Sequence, residues 1–128
     1  MKIRLAPYLC SAALLLLAGA ALADEVPFNQ ARFDQAQAAG RPVVVYFHAD
    51  WCPTCRVQKP IVDRLAAQPQ LKPVTIFVAD YDTETALEKA LKVTQQSTFV
   101  VFKHGHEVGR STGQTQAPAI KAILDEAL

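Results

Sequence analysis

Trp51-Cys52-Pro53-Thr54-Cys55 lies between a segment that predicts a strand and a segment that predicts a helix. Residues i and i+3 of a helix are about 5–6 Å apart at Cβ, so two thiols at this spacing are within reach of a disulfide. Pro53 disfavours helical geometry at Cys52 and is itself suited to the first helical position. We therefore expect Cys52 to cap the helix and Cys55 to lie one turn inside it.

The two cysteines are predicted to differ in chemistry. Cys52 would face free backbone N–H groups and the positive end of the helix dipole, and both favour its thiolate. This predicts an exposed nucleophile at Cys52 and a buried thiol at Cys55 that resolves the intermediate. A structural disulfide is the alternative in an oxidising compartment. However, a loop this short removes little entropy from the unfolded chain and makes a poor crosslink.

The N-terminal residues 1–23 have the features of a secretory signal peptide. Lys2 and Arg4 form a short basic region, and residues 9–18 are an apolar run too short to span a bilayer comfortably. The small-x-small pattern at residues 21–23 is typical of a cleavage site. We expect cleavage after this segment, and an uncleaved membrane anchor is the alternative.

Cleavage would leave a single domain over residues 24–128 in the periplasm or secreted, with no membrane attachment. Cys10 would leave with the leader, so Cys52 and Cys55 would be the only cysteines. The remaining chain would carry 11 lysines and arginines against 12 aspartates and glutamates, a net charge of −1. It has no basic patch with interleaved aromatic residues, which argues against nucleic acid as a partner.

Hydrophobic patterning predicts an α-β-α-β-α-β-β-α order. Helices are expected over residues 28–39, from the cysteine pair to about 67, 84–91 and 116–128, and strands over 43–47, 74–79, 98–103 and 106–112. Strands joined through helices are expected to be parallel, and the last two strands to form a hairpin. The predicted fold class is therefore α/β, a mixed sheet with helices on both faces.

Three of these helices carry specific expectations. The first is expected to be capped by Asn29, with Phe28 packed against Phe33. The second is expected to contain Pro60 and to bury one apolar stripe: Val57, Ile61, Val62, Leu65 and Ala66. The third is expected to be capped by Asp82 or Thr83 and to turn four residues inward: Ala86, Leu87, Ala90 and Leu91.

Several motifs follow one another in a recognisable order. They are the segment 47–55 with its cysteine pair, Pro60 inside the following helix, the segment 98–103 with Gly105, and Gly113. Together they resemble the thioredoxin family over nearly all of residues 28–128, and in particular an exported thioredoxin-like protein. The resemblance implies a thioredoxin fold and an enzyme that carries out thiol–disulfide exchange.

The resemblance also implies roles for residues around the pair. Cys52 would attack a protein disulfide and Cys55 would release the product, so the only redox group is the Cys52–Cys55 disulfide, with no added cofactor. Trp51 would shield the pair and shape the docking surface, or would simply pack there. Pro53 and Thr54 would tune the reduction potential. The protein is expected to be a monomeric reductant, with a membrane thiol transporter as a possible electron donor.

Two positions depart from the family pattern. Ser97, between Gln96 and Thr98, occupies the place of a cis-proline that faces the cysteines. Because a non-proline cis bond costs about 3–4 kcal/mol, we predict a trans Gln96–Ser97 bond. The Ser97 hydroxyl can hydrogen-bond the Cys52 sulfur; the alternative is a neutral loop residue. Tyr46 occupies the place of a buried acid and does not accept a proton at neutral pH, which predicts slow or water-assisted resolution.

Two other function classes stay open at this point. Cys52 and Cys55 with a third ligand such as His48 would form a metal- or cluster-binding module, and a structural disulfide would leave a non-catalytic interaction domain. His48 is otherwise expected to be a packed residue with one satisfied nitrogen. Four further polar residues are expected to be solvated: Asp50, Lys59, His104 and His106.

Overall fold

The computed structural model describes residues 23–128, and nearly all of the predicted signal peptide lies outside these described residues. The strands are β1 (Asp24–Pro27), β2 (Val43–His48), β3 (Thr75–Asp80), β4 (Thr98–Lys103) and β5 (His106–Thr112). The helices are α1 (Gln30–Ala38), α2 (Pro53–Ala66), α3 (Thr85–Leu91) and α4 (Ala117–Asp125), with a 3-10 turn at Pro69–Leu71. All eight predicted elements are present. Within residues 23–128, no helix has the length and apolarity needed to cross a bilayer.

The strand β1 and the 3-10 turn were not predicted. Strand β1 has only four residues, ends in a proline and lies at the sheet edge, where it pairs in parallel with β3. An edge strand has a neighbour on one side only, so its sequence need not show the continuous apolar pattern of a central strand. Its pattern was therefore too short and too mixed to predict a strand.

The five strands form one mixed sheet in the order β1-β3-β2-β4-β5. Strand β2 is parallel to β3 and antiparallel to β4, and β4 and β5 form the predicted hairpin. The expectation that all strands joined through helices are parallel was wrong for β3 and β4. Asp80 at the end of β3 lies beside His48, and Thr98 at the start of β4 lies beside Phe47. The chain leaves β3 and enters β4 at the same end of the sheet. Strand β4 is therefore antiparallel to β3.

Strand β2 is the centre of the core, as its apolar run predicts. Its residues Val43 to Phe47 are fully buried. Val44 and Tyr46 face one hydrophobic cluster, which includes buried residues of α2 and α4. Alternate residues of β2 face a second cluster, which includes buried residues of α1 and α3. The helices therefore cover both faces of the sheet and leave the end of β2 to carry the cysteine segment.

The details of α1 follow the sequence prediction. The Asn29 side chain accepts a hydrogen bond from the Arg32 N–H at 3.0 Å and caps the helix. The rings of Phe28 and Phe33 are 5.8 Å apart, which joins the chain entering α1 to the core. Gly40, at φ +66°, takes the left-handed conformation that follows the helix.

The buried face of α2 differs from the predicted stripe at two positions. Ile61, Val62, Leu65 and Ala66 are buried, but Val57 is 48% exposed and Gln58 is fully buried. At about 100° per residue, Val57 lies about 120° from the centre of the buried face that begins with Cys55. The buried face therefore includes Gln58. Because glutamine is polar, the spacing of apolar residues does not indicate this position.

The expectations for α3 were mostly wrong. Residue Glu84 occupies the cap position without a side-chain hydrogen bond, so neither Asp82 nor Thr83 caps the helix. Of the four residues expected to face inward, Leu87 is buried and Leu91 is partly buried, whereas Ala86 and Ala90 are exposed. A helix of seven residues makes only two turns. It therefore packs against the second cluster through only a few side chains, among them Leu87 and Leu91.

A pair of valines on α2 tests this assignment of its faces. We expect Val62→Ala to lower the free energy of unfolding by about 2 kcal/mol, because Val62 is fully buried in the core. Val57→Ala removes the same atoms from the same helix at an exposed position and is expected to change stability by less than about 0.5 kcal/mol. Urea unfolding monitored by circular dichroism measures both. Equal losses would contradict the observed orientation of α2.

Candidate active site

Cys52 occupies the capping position at the start of α2, as its place before Pro53 predicts. Its backbone is extended (φ −77°, ψ 119°), and its sulfur accepts a hydrogen bond from the Cys55 N–H at 3.3 Å. Both cysteines are free thiols. The sulfur that was expected to be exposed is covered, because Cys52 is only 2% exposed. It packs in a small cluster with Ala49, Cys55 and Tyr81.

Ser97 lies against both sulfurs. Its Oγ atom is 3.2 Å from Cys52 Sγ and 3.1 Å from Cys55 Sγ. The contact with Cys52 was predicted from the sequence, and the contact with Cys55 was not. No peptide bond in residues 23–128 is cis, so the Gln96–Ser97 bond is trans, as predicted.

The Ser97 backbone is held on both sides. Its N–H donates to the Phe47 carbonyl at 2.8 Å, and its carbonyl accepts from the Gly113 N–H at 3.0 Å. The residue has φ +62°, in the left-handed region that residues with a Cβ rarely adopt. These bonds join the loop before β4 to the end of β2 and to the end of β5, and they place the hydroxyl beside the thiols.

The surroundings separate the two thiols chemically. Burial alone would raise the pKa of Cys52, but hydrogen bonds outweigh it and lower that pKa to about 7. In order of size these come from the Ser97 hydroxyl, the Cys55 side chain, the Cys55 N–H and the Gln96 side chain. Burial raises the pKa of Cys55, which the hydrogen bond from Ser97 only partly offsets. Cys52 is thus the thiol that ionises first, and Cys55 stays protonated near neutral pH.

Tyr46 lies beneath the pair, where the family pattern has a buried acid. Its hydroxyl donates to the Cys55 carbonyl at 3.4 Å and lies 3.3 Å from His48 Nδ1. Burial, reinforced by the charges of the nearby cysteines, raises the pKa of Tyr46 far above its ordinary value. The hydroxyl therefore keeps its proton and provides no carboxylate base at this position.

Three of the polar residues near the site have more partners than the sequence predicted. Both ring nitrogens of His48 have a neighbour: Nδ1 lies beside Tyr46, and Nε2 is 3.0 Å from Asp50 Oδ1. Asp50 is exposed but paired in this way rather than simply solvated. Lys59 pairs with Glu25 at 2.8 Å and also with Asp63. Through Glu25, the unpredicted strand β1 is attached to α2.

Trp51 forms the exposed rim of the site. It is 53% exposed, and its indole N–H donates to Asp82 at 2.8 Å. Beside it is a pocket of about 240 Å³ that Asp50 and Asp80 also line. A large, half-exposed ring next to a reactive pair provides apolar surface for a docking polypeptide.

Of the remaining predicted site residues, Pro53, Thr54 and Thr98 make no hydrogen bond to the sulfurs, whereas a hydrogen bond from the Gln96 side chain lowers the pKa of Cys52. Pro53 is the first residue of α2, and Thr54 follows it on the partly exposed first turn. Gln96 is partly buried. Thr98 hydrogen-bonds the Gln95 carbonyl at 2.9 Å and the Thr112 hydroxyl at 2.8 Å, so it joins β4 to β5 instead of contacting the thiols.

Gln58 is the residue of the site that sequence reasoning missed. Its side chain is fully buried, and its amide N–H donates to the Ser97 carbonyl at 3.3 Å and to the Gln114 carbonyl at 2.8 Å. One signal was available: a glutamine three residues after Cys55 lies on the buried side of the same helix. A polar residue on a buried face indicates a specific partner.

Comparison with known proteins agrees with this geometry. The thioredoxin family profile matches residues 24–126. The chain belongs to the thioredoxin family. It is 35% identical over 98 residues to thioredoxin of Chlamydia trachomatis, covering 77% of this chain and 93% of that protein. It is 31% identical over 96 residues to thioredoxin-1 of Saccharomyces cerevisiae, covering 74% and 90%.

Solved structures show the same relationship. The crystal structure of Trxlp from Edwardsiella tarda is 40% identical, with a TM-score of 0.77 over 79% of this chain and 98% of that one. The five-stranded sheet with four helices is therefore the thioredoxin fold, as predicted. Membership of the thioredoxin family together with the Cys52–Cys55 pair makes the protein a thiol–disulfide oxidoreductase.

The metal-binding alternative depends on a third ligand beside the thioredoxin-type pair. Within residues 23–128, the structure brings together no group of three histidine, cysteine, aspartate or glutamate side chains suited to a metal ion. His48, the candidate third ligand, is engaged by Tyr46 and Asp50. A lone cysteine pair supplies two of the four ligands of a closed zinc site.

Proposed function

We propose that the protein is an exported thiol–disulfide reductase that acts on protein disulfides through Cys52 and Cys55. One observation carries this proposal: the Cys52 sulfur caps α2 as a stabilised thiolate, while Cys55, one turn deeper, stays protonated. Cys52 can therefore attack the substrate disulfide, and Cys55 remains a thiol until the resolving step. The redox group of the cycle is the cysteine pair itself.

The chemistry runs in two exchange steps. The Cys52 thiolate attacks one sulfur of a substrate disulfide, forms a mixed disulfide and releases the other substrate sulfur as a thiolate. Cys55 then loses its proton and attacks Cys52 Sγ, which forms the Cys52–Cys55 disulfide and releases the second substrate sulfur. Two electrons pass from the cysteine pair to the substrate, which takes up two protons from solvent.

The acidity of Cys52 supports the reducing direction. A pKa near 7 is typical of thioredoxin, whereas a strong oxidant of the same chemistry has a pKa of about 3.5, because its reduced form is strongly stabilised. A moderately stabilised thiolate gives up its electrons more readily. In an oxidising compartment such a reductant needs a supply of electrons, and we propose a membrane thiol transporter as the donor.

A disulfide-reduction assay tests the proposed activity. With dithiothreitol as the electron source, we expect the purified domain over residues 24–128 to accelerate insulin precipitation well above the rate with dithiothreitol alone. The starting protein must carry Cys52 and Cys55 as a reducible pair, and thiol counting before and after reduction checks this. A domain that is folded and reducible but does not accelerate precipitation would favour the interaction module.

The proposed export makes a separate prediction about residues 1–23. When the full chain is expressed in a Gram-negative bacterium, we expect the folded protein in the periplasmic fraction with Asp24 as its first residue. Mass spectrometry of the intact protein measures the new N-terminus. A matched variant with residues 9–18 interrupted by two arginines should stay in the cytoplasm at full length. Recovery of uncleaved wild-type protein in the membrane fraction would instead indicate an anchor.

A further inference from the structure

The Ser97 hydroxyl is nearly equidistant from the two sulfurs, at 3.2 Å from Cys52 and 3.1 Å from Cys55. A hydroxyl carries a single hydrogen, so at any moment it donates to only one of them and is free to accept from the other. Rotation about one bond exchanges the two acceptors. The structure thus places one donor where two different thiolates form during the cycle.

We propose that Ser97 is a catalytic residue whose hydroxyl stabilises each thiolate in turn, Cys52 during attack and Cys55 during resolution, and that Gln58 is its positioning residue. This inference deepens the proposed function and rests on it, because it assigns the two steps of the same exchange. It adds a role for the contact between Ser97 and Cys55 to the predicted contact with Cys52.

In the reduced enzyme the hydrogen bonds run in one direction. The Cys52 thiolate accepts from the Cys55 N–H and from the Ser97 hydroxyl, and the Cys55 thiol can donate to Ser97 Oγ. Each donor in such a chain strengthens the next. This arrangement stabilises the charge on Cys52 despite its burial.

In the mixed disulfide, Cys55 rather than Cys52 is the sulfur whose thiolate must be stabilised. Cys52 Sγ is then bonded to a substrate sulfur and carries no charge, so it is a poor acceptor. Cys55 must lose its proton to water before it attacks Cys52 Sγ and displaces the substrate thiolate. Tyr46 stands in the place of a buried acid, and its hydroxyl keeps its proton and does not act as the base. A hydroxyl that turns to Cys55 stabilises the forming thiolate directly.

Gln58 keeps the hydroxyl in place. Ser97 adopts φ +62°, a conformation that a residue with a Cβ maintains only when its surroundings enforce it. The Gln58 amide supplies one of the enforcing contacts by donating to the Ser97 and Gln114 carbonyls together. Both partners are carbonyls, which fixes the orientation of the amide.

The same glutamine is costly for stability. Gln58 Oε1 is buried without a hydrogen-bond partner in the described part of the chain. Burying an unsatisfied polar atom costs stability that an apolar residue on the same helix face would not cost. A leucine at this position would fill the core without that penalty, so the glutamine is best explained by the loop that it holds.

Ser97→Ala tests the shared hydroxyl with two readouts. The first is the pH midpoint of Cys52 alkylation. The second is the rate at which Cys55 displaces a chromogenic aromatic thiol from Cys52, measured by stopped flow across pH as the second thiol released when reduced protein is mixed with an aromatic disulfide. We expect the midpoint to rise by about one pH unit and the displacement to slow about tenfold at neutral pH, since a hydrogen bond to a charged group is lost in each step.

Two further variants separate catalysis from folding. Ser97→Gly removes the same hydroxyl and suits a positive φ, so it should reproduce both effects even if the alanine variant folds poorly. Ser111→Ala removes a serine hydroxyl from β5 outside the site and should change neither readout. A normal displacement profile in both Ser97 variants would overturn the shared role and leave a hydroxyl that serves Cys52 alone.

Gln58→Leu tests positioning. We expect both readouts to move in the same direction as in Ser97→Ala but by less, and the double variant to behave like Ser97→Ala alone. Additive effects would show that Gln58 acts independently of Ser97 and would contradict the positioning role. Because the displaced thiol is a small aromatic molecule, these assays report on Ser97 whether or not the wild-type protein reduces insulin. The insulin assay tests the proposed function, and the displacement assay tests the role of Ser97, so either can fail without the other.

Discussion

Replacing Cys55 by serine is expected to trap protein substrates as stable mixed disulfides on Cys52 and to reduce steady-state insulin reduction by on the order of 10³-fold or more. The first exchange needs only the Cys52 thiolate, whereas release of the product needs the second sulfur. The covalent complex should be visible as a band on a non-reducing gel that disappears with dithiothreitol. Mass spectrometry of the band then identifies the bonded cysteine.

Cys52→Ser is the matched control, since it removes one sulfur from the same pair and leaves the other. It should lose turnover to a similar extent but trap nothing, because the raised pKa of Cys55 keeps it protonated. A variant that traps substrate through Cys55 would reverse the assigned roles. If neither variant traps substrate while both stay folded, the pair would be a structural disulfide rather than a catalytic one.

Sequence reasoning was most successful where local chemistry determines geometry. The place of Pro53 after Cys52 predicts the capped start of α2, and Asn29 predicts the start of α1. The apolar run of β2 predicts a strand buried on both faces. In each case the deciding interactions lie within a few residues of one another, so their pattern can be seen in the sequence.

The features that the sequence did not predict depend on contacts between distant segments. The direction of β4 depends on the end of the sheet at which the chain re-enters after α3, and no local pattern encodes that choice. Cys52 is covered because the loop carrying Ser97, 45 residues away, folds against it. The partners of Gln58 lie in that loop and at Gln114, far from it in the sequence, so no local pattern indicates them.

Ser97 makes one contact that the sequence predicts and one that it does not. Its place before Thr98 was enough to predict a trans bond and a hydrogen bond to Cys52. The second contact, to Cys55, requires the left-handed backbone at φ +62° and the bonds that hold it. The family pattern points to this position, but the geometry determines which sulfurs its hydroxyl reaches.

The largest expected effect of pH concerns the reactivity of Cys52. We expect alkylation of the reduced protein by iodoacetamide to rise with pH through a midpoint near 7, because hydrogen bonds from Ser97 and Cys55 stabilise the thiolate. An ordinary cysteine has a pKa of about 8.5, so at pH 6 the thiolate fraction of Cys52 should be larger by about thirtyfold. Cys55 should stay unmodified over this range, since burial raises its pKa. Peptide mapping by mass spectrometry follows the two sites separately.

The burial of Cys52 makes the midpoint, rather than the absolute rate, the decisive quantity. A covered sulfur reacts slowly at every pH, because the reagent must reach it past Tyr81 and the Ser97 loop. Limited access lowers the rate but does not change the pH midpoint of alkylation. The same protein unfolded in guanidinium chloride is the control, and both cysteines should then titrate near 8.5. If the native and unfolded midpoints of Cys52 coincide, the hydrogen bonds do not stabilise its thiolate. Capping of α2 by the sulfur would then be a structural feature only, and the assignment of Cys52 as the nucleophile would lose its physical basis.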